Sequence, residues 1–345
     1  MQISIIYKEG HVVSIRKNKL RSIEKVLCPE IRGKIKKLPS QFKEEIEEIR
    51  LRVNQPLMIF ANNTDFFITV NNGVSKYNSN SYIVEKNNIE TTLQFIANYS
   101  IYSVVEELKQ GFITIEGGHR IGIVGSIVSD NLGIKTMKEF TGLNLRIAGE
   151  KIDVSKKIMP YLINCRGEFR NTLIISPPQC GKTTLLRDII RNISNGIPDL
   201  NLRGLKVGVV DERSEIAACY DGVPQNNLGI RTDILNRCPK AQGMMMLIRS
   251  MSPQVIATDE LGREDEIMAI SEAVLAGINL ITTVHGKSLE DILNRRLIGD
   301  LIKEGIFKRI IILSSSKGVG TIEEITDGVT LNKLTNYPIE NRIGG

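Results

Sequence analysis

Tryptophan is absent from the 345 residues, and aromatic residues amount to only 5%. The chain thus lacks the interleaved aromatic and basic side chains on which single-stranded nucleic acids stack. Histidine is scarce, with three in all, which excludes a histidine-rich metal site. The five cysteines, Cys28, Cys165, Cys180, Cys219 and Cys238, are odd in number and scattered, with no CxxC pair. A disulfide framework or a zinc site is not expected, and thiols in a reducing cytoplasm suit this usage. Long hydrophobic runs are missing too. The best stretch, residues 267–284, is broken by Glu272, Asn279 and two threonines and does not read as a membrane span. The opening MQISIIYKEGHVV lacks a basic n-region, a long apolar core and a small-residue cleavage site, so it does not read as a secretory signal. No repeat of fixed period and no low-complexity tract is present. Neither sign of charge dominates: 45 Lys and Arg against 39 Asp and Glu leave a net +6. That balance permits an acidic partner, whether nucleotide, nucleic acid or anionic membrane, and selects none. The basic cluster from Arg16 to Lys25 reads as a solvated face.

What remains is an ordinary globular composition, 41% apolar and 24% charged. At ~150 residues per domain the length suggests two domains. The polar stretch AGEKIDVSKK marks a boundary near 148–158, giving domains of 1–150 and 151–345. In the first, Leu38, Phe42, Ile46 and Ile49 recur at helical spacing after Pro39-Ser40. Ile49, Leu51 and Val53 then alternate with Arg50 and Arg52, the pattern of a half-buried strand. FFITV (66–70) predicts another strand. Asn88 is placed to cap a helix running to Ala97, and a helix over about 102–109 ends at Gly111. GFITIEGGHRIGIVGSIV predicts a hairpin about Gly117-Gly118, a dipeptide suited to a tight primed turn. The first domain is therefore a small α/β module. Asp153 is placed to cap a helix running to Leu162.

From residue 170 strands and helices alternate. NTLIIS (171–176), KVGVVD (206–211), QVIATD (254–259), NLITTV (279–284) and KRIIIL (308–313) predict a mainly parallel sheet covered on both faces. GIRTD (229–233) and Cys238-Pro239-Lys240 look loop-like, and the stripe Met244, Leu247, Ile248, Met251 reads as helical core packing. Ligands of such sheets sit beyond the carboxyl ends of the strands. Ser176, Asp211, Asp259-Glu260 and Thr283 to His285 all fall at that edge.

The first of these strands runs into Ser176-Pro177-Pro178-Gln179-Cys180-Gly181-Lys182-Thr183-Thr184, and an amphipathic helix follows. Strand, tight loop and helix form the context of a phosphate-binding loop. Gly181 allows close approach of the backbone, and successive N–H groups at the helix start face the anion. Lys182 is placed for β/γ-phosphates and the Thr183 hydroxyl for Mg²⁺. Ser176 stands where the usual pattern opens with glycine, and Gln179 where related loops often carry one. VIATDE ends in two acids: Asp259 would hold Mg²⁺ through a water and Glu260 would polarise the attacking water. Asp211, Glu212 and Glu215 either support the water or the metal, or merely supply acids at a helix start. His285 either senses the γ-phosphate through a polar network or is a local hydrogen-bonding group. Arg231, Arg249, Arg263, Arg120 and Arg146 are candidates for an arginine acting in trans on transition-state charge, and nothing in the sequence selects among them.

SPPQCGKTTLLRD, VVDERSEIA, GIRTDILNRCPKAQGMMMLIRSMSP, VIATDELGRED and TTVHG, with EEIRLRVNQPLMI and ELKQGFITIEGGHRIGIVG upstream, resemble the stage III sporulation protein AA family of endospore-forming bacteria. The resemblance covers most of residues 30–330. That family is similar to the type II/type IV secretion ATPases, and the likeness implies a RecA-like P-loop ATPase domain after a smaller N-terminal α/β domain. It also implies ATP and Mg²⁺ as cofactors and a homo-oligomer, a hexamer. Asp211-Glu212 would be its acidic box and His285 its histidine box, with Glu260, His285 and Glu212 catalytic. The setting it implies is cytoplasmic, on the mother-cell side of the membrane around the forespore. There the ATPase would act beside membrane proteins of a secretion-like complex. A nucleotide-gated scaffold with little turnover is the alternative that Ser176 and Gln179 motivate. A nucleic-acid motor ranks last, and no stable nucleic-acid partner is expected.

Overall fold

Residues 20–100, 104–131 and 133–335 are described by the computed structural model. The opening segment examined for a signal, the first part of the Arg16–Lys25 cluster and the expected helix start at 102 lie outside them. Two units emerge, Met1–Gly149 and Glu150–Gly345.

The N-terminal unit comprises α1 (20–26), α2 (Pro29–Lys37), α3 (Ser40–Glu45), β1 (Ile46–Arg52), β2 (Met58–Ala61), β3 (Thr64–Ile68), β4 (Val74–Ser75), α4 (Lys86–Ile96), α5 (Val105–Gln110), β5 (Phe112–Ile115), β6 (His119–Asp130) and β7 (Gly133–Arg146). Among the described residues its strands form one antiparallel sheet in the order β4-β3-β2-β1-β7-β6-β5. Apolar residues of that sheet, such as Ile49, Leu51, Ile121 and Leu145, share a core with Ile31, Ile35, Ile89 and Leu93 of the helices.

Four local expectations need correction here. The helical spacing from Leu38 stops at Glu45, and Ile46 opens β1 instead, paired with Ala61. Glu44, Glu45, Glu47 and Glu48 would crowd the negative end of a longer helix, whereas the strand gains partners on both sides. The strand expected at 66–70 lies at Thr64–Ile68. Asn88 is not the cap of α4 but its third residue: Glu85 is the N-cap, and Asn88 Oδ1 accepts the Glu85 N–H at 2.9 Å, half of a capping box. The β5–β6 loop has three residues rather than two, since Ile115 pairs with His119; Gly117 and Gly118 take φ of +89° and +75°. Gly111, at φ +78°, ends α5 as expected.

The second unit comprises α6 (Met159–Leu162), β8 (Thr172–Ser176), α7 (Lys182–Asn195), β9 (Val207–Asp211), β10 (Thr232–Asn236), α8 (Lys240–Ser250), β11 (Val255–Thr258), α9 (Glu264–Leu275), β12 (Asn279–His285), α10 (Leu289–Leu293), α11 (Ile298–Lys303), β13 (Arg309–Ser314) and β14 (Thr321–Asp327). Its sheet runs β10-β9-β11-β12-β8-β13-β14, parallel except for the last strand. Strand residues alternate between two apolar layers. Ile174, Val207 and Val209 pack with Leu186, Ile189 and Ile193 of α7. Leu173, Ile175 and Val210 pack on the other face with Met244, Leu247 and Ile270 of α8 and α9. Met251, by contrast, leaves the expected core stripe and is exposed.

Asp153 does not cap a helix. It sits at φ +64° before a run of turns, and its N–H donates to Asp188 Oδ1 at 3.0 Å. Asp188, buried on α7, also accepts the Ser155 N–H at 2.8 Å and Oγ–H at 2.6 Å, and pairs with Arg191 at 2.8 Å. This network fastens the entry of the unit to α7, the helix that follows the loop after β8. Asp188→Ala should therefore lower stability by about 3 kcal/mol. Asp153→Ala, whose side chain is 64% exposed, should cost less than about 1 kcal/mol. Urea unfolding of both variants provides the check.

Candidate functional site

The sheet order brings the polar strand ends into one row. β9, β11, β12 and β8 are consecutive neighbours, so Asp211, then Asp259 and Glu260, then His285, then Ser176 follow one another along the carboxyl edge. The strand carrying the acids does not adjoin β8; β12 lies between them and contributes His285, whose register partner on β8 is Ser176.

The loop itself closes through two left-handed residues. Gly181, the N-cap of α7, has φ +83°, and Gln179 has φ +60°. Gln179 thus adopts the backbone conformation a glycine would take, at a cost of about 1 kcal/mol. Ser176 is fully buried and its Oγ donates to the Pro177 carbonyl at 2.8 Å. Cys180 is buried, Pro178 and Gln179 are exposed, and Thr183 and Thr184 are half-buried at the helix start. The first N–H groups of α7 have no intrahelical acceptor, so they and the helix dipole favour an anion at this end.

Lys182 Nζ hydrogen-bonds Glu260 Oε1 and lies 2.7 Å from His285 Nε2. His285 Nε2 is in turn 3.0 Å from Glu260 Oε1. A residue that the sequence reading passed over completes the cluster: Arg213 Nη1 donates to Glu260 Oε2 at 3.0 Å. Burial pushes the Glu260 carboxyl upward, but Lys182, His285 and Arg213 outweigh it and hold it below the usual carboxylate range. Glu260 has φ +43°. Its N–H donates to Thr283 Oγ1 at 3.0 Å and its carbonyl accepts from Lys240 Nζ at 2.5 Å. Neither Arg213 nor Lys240 carried a signal of its own in the sequence. Arg213 lies 47 residues from Glu260 and meets it through the sheet order, whereas Lys240 reaches it from the start of the helix that leads into β11.

Asp211 and Asp259 are both buried but differ in partners. Asp211 accepts backbone N–H groups from Glu215, Ile216 and Ala217 at 2.8, 3.1 and 2.8 Å, and so shapes the turn after β9. Asp259 Oδ2 is buried without a hydrogen-bond partner among the described residues. Burial, with the Asp211 charge nearby, pushes its carboxyl up to about 6 despite the opposing charge of Lys240. Glu212 lies 3.7 Å from Lys240. An orphaned buried carboxylate near the anion-favouring start of α7 suits a cation. No three His, Cys, Asp or Glu side chains form an all-protein cage among the described residues, but Mg²⁺ in such sites keeps waters and takes phosphate oxygens. Thr183 and Asp259 therefore fit Mg²⁺ without further protein ligands.

The five arginines considered for action in trans are placed as follows. Arg231 Nη1 donates to the Ser194 carbonyl at 2.9 Å near the end of α7. Arg120 lies over the Phe112 ring at 3.5 Å, and Arg146 pairs with Glu48 at 3.3 Å. Arg249 and Arg263 are exposed. No helix among the described residues is long and apolar enough to cross a membrane.

Comparison with known proteins matches the family "Sporulation stage III, protein AA" over residues 17–331. Stage III sporulation protein AA of Bacillus subtilis (strain 168) is 40% identical over 318 residues, covering 92% of this chain and 98% of that protein. Among solved structures, the ATPase DotB of Yersinia pseudotuberculosis superposes with a TM-score of 0.57 at 16% identity, over 87% of this chain and 80% of its own. The pilus retraction motor PilT, determined with ADP, superposes at 0.51 and 14% identity, over 79% and 75%. At such identities the likeness concerns the fold. It is α/β: a domain with a mainly parallel sheet, of the fold seen in DotB and PilT, preceded by a smaller N-terminal domain built on an antiparallel sheet.

The raised Asp259 carboxyl has a defined pH signature. A group raised in the folded state contributes stability that is present below its unfolded value and lost as pH rises through about 6. A bound cation needs the ionised form, so Mg²⁺-nucleotide affinity should weaken as pH falls through the same value. Asp259→Asn should abolish that dependence and raise the stability of the nucleotide-free protein at neutral pH by about 1–3 kcal/mol. Calorimetric titration across about pH 5 to 7.5, with urea unfolding at neutral pH, measures both.

Proposed function

The chain belongs to the stage III sporulation protein AA family, and from that premise we propose that it is a Mg²⁺-dependent ATP hydrolase that energises a secretion-like or assembly complex at the forespore membrane. The observation that carries the reading is the meeting of Lys182, Glu260 and His285 at one sheet edge, beside the orphaned carboxylate of Asp259. An incoming triphosphate competes with Glu260 for the Lys182 ammonium. When Lys182 turns to the β/γ-phosphates, Glu260 keeps Arg213 and His285. The Arg213 guanidinium still favours its ionised form, so it is ready to polarise a water. Pro177 and Pro178 have no N–H to offer, so the backbone N–H groups from Gln179 to Thr183 cradle the phosphates. Mg²⁺, held by Thr183 and through water by Asp259, would neutralise phosphate charge. His285 links Lys182 and Glu260, a seat from which loss of the γ-phosphate is sensed. Glu212 supports this acid edge through Lys240.

By the same reading the working form is a homo-hexamer, with an arginine of a neighbouring copy completing each site. It acts in the cytoplasm on the mother-cell side, next to membrane proteins of the complex. A second reading, a nucleotide-gated scaffold with little turnover, draws on Lys182 already being paired with Glu260 and on the left-handed Gln179.

Lys182→Ala should lose nucleotide binding. Glu260→Gln should bind ATP yet release phosphate slower by on the order of 100-fold or more. Undiminished turnover in Glu260→Gln would sink its assigned role. Rapid single-turnover phosphate release by the unmodified protein would reject the scaffold.

A further inference from the structure

Lys240 opens α8, where the amides of the helix N-terminus disfavour a cation. The residue is nonetheless only 7% exposed. A buried ammonium in that seat requires compensation, and three acceptors supply it. Nζ donates to the Glu260 carbonyl at 2.5 Å, meets Glu266 Oε1 at 3.0 Å and lies 3.7 Å from Glu212 Oε2. Glu266 is itself 2% exposed, and its other oxygen accepts the N–H groups of Gly262 and Arg263 at 2.8 and 3.0 Å. One ammonium and one carboxylate thus hold the backbone from 260 to 263 on its outer side. On its inner side, Thr283 Oγ1 accepts the Glu260 N–H and the Thr283 carbonyl accepts the Leu261 N–H, each at 3.0 Å.

Between these two grips sits Glu260 at φ +43°. A non-glycine residue keeps such a conformation only where its surroundings impose it. The carboxylate of Glu260 is aimed at Lys182 and His285 because its backbone is fixed in this way.

We propose that Lys240 is a positioning residue for hydrolysis: through the Glu260 carbonyl and the Glu266 carboxylate it fixes the segment that orients the water-polarising group. The proposal rests on the reading of Glu260 given above. Lys240 touches no reacting atom; its effect passes through Glu260.

The full chain provides the test. Lys240→Met paired with Glu266→Gln removes the ammonium without stranding a buried carboxylate, and Lys240→Arg keeps the charge in a different shape. In the nucleotide-free protein, hydrogen exchange at residues 260–263 should quicken in the paired variant while β8 and α7 stay unchanged. Its kcat should fall on the order of 10- to 100-fold, with KM for ATP little altered. Lys240→Arg should recover part of that loss. In a Glu260→Gln background the same pair should add little, because Lys240 acts through Glu260. Unchanged exchange at 260–263, or a full multiplicative loss in the Glu260→Gln background, would overturn the proposal and leave the ATPase reading standing. An unmodified chain without turnover would overturn the ATPase reading instead, and the exchange measurement separates the two.

Discussion

The contact between Lys182 and Glu260 is the interaction on which the arrangement of the second unit turns. One partner opens the helix after β8 and the other follows β11. These strands are not neighbours, so the contact exists only because β12 fills the gap and places His285 against both. The ammonium is 9% exposed and the carboxylate 19%. Withdrawing both from water costs much of what their attraction returns, so such a pair is a weak source of stability. Its significance lies in where the charges are held. A cation and an ionised acid stand together beside the loop of residues 177–181, held there by the fold itself.

The two aspartates of the acid edge show how the same residue type is assigned to different work. Asp211 is saturated by three backbone amides and behaves as part of the scaffold. Asp259, on the neighbouring strand, is buried with an oxygen that nothing in the described chain satisfies. Satisfied buried acids shape turns, whereas unsatisfied ones keep coordination capacity in reserve. Partnering separates the two where burial does not.

Much of this was legible in the sequence because it is written in local pattern. The apolar runs that became β8, β9, β11, β12 and β13 are too short and too β-branched to be helices, and each ends in a polar group. The loop from Ser176 to Thr184 announces itself by residue type and spacing alone. What escaped depends on pairing across distance. β10 has only Ile234 and Leu235 as apolar members and lies at the sheet edge, half exposed, so it resembled a loop. β14, with Glu323 and Glu324 in its middle, is a strand only because it pairs back antiparallel on β13. Asn88 and Asp153 are both good capping residues, and both were diverted, one into the third position of its helix and the other to the Asp188 network. Lys240 looked like a loop lysine because its three acceptors come from the segment after β9, the segment after β11 and α9.

The middle position of β12 also gives the loop after β8 a tie to a more distant helix. His285 is held from behind, since its carbonyl accepts from Arg295 at 2.5 Å, and the next residue, Gly286, donates its N–H to the Ser176 carbonyl at 3.2 Å. Arg295 is tied in turn to Asp291 on α10 at 2.7 Å. The first residue of the loop is therefore joined to α10 by a short chain of hydrogen bonds that runs through Gly286, His285 and Arg295 to Asp291.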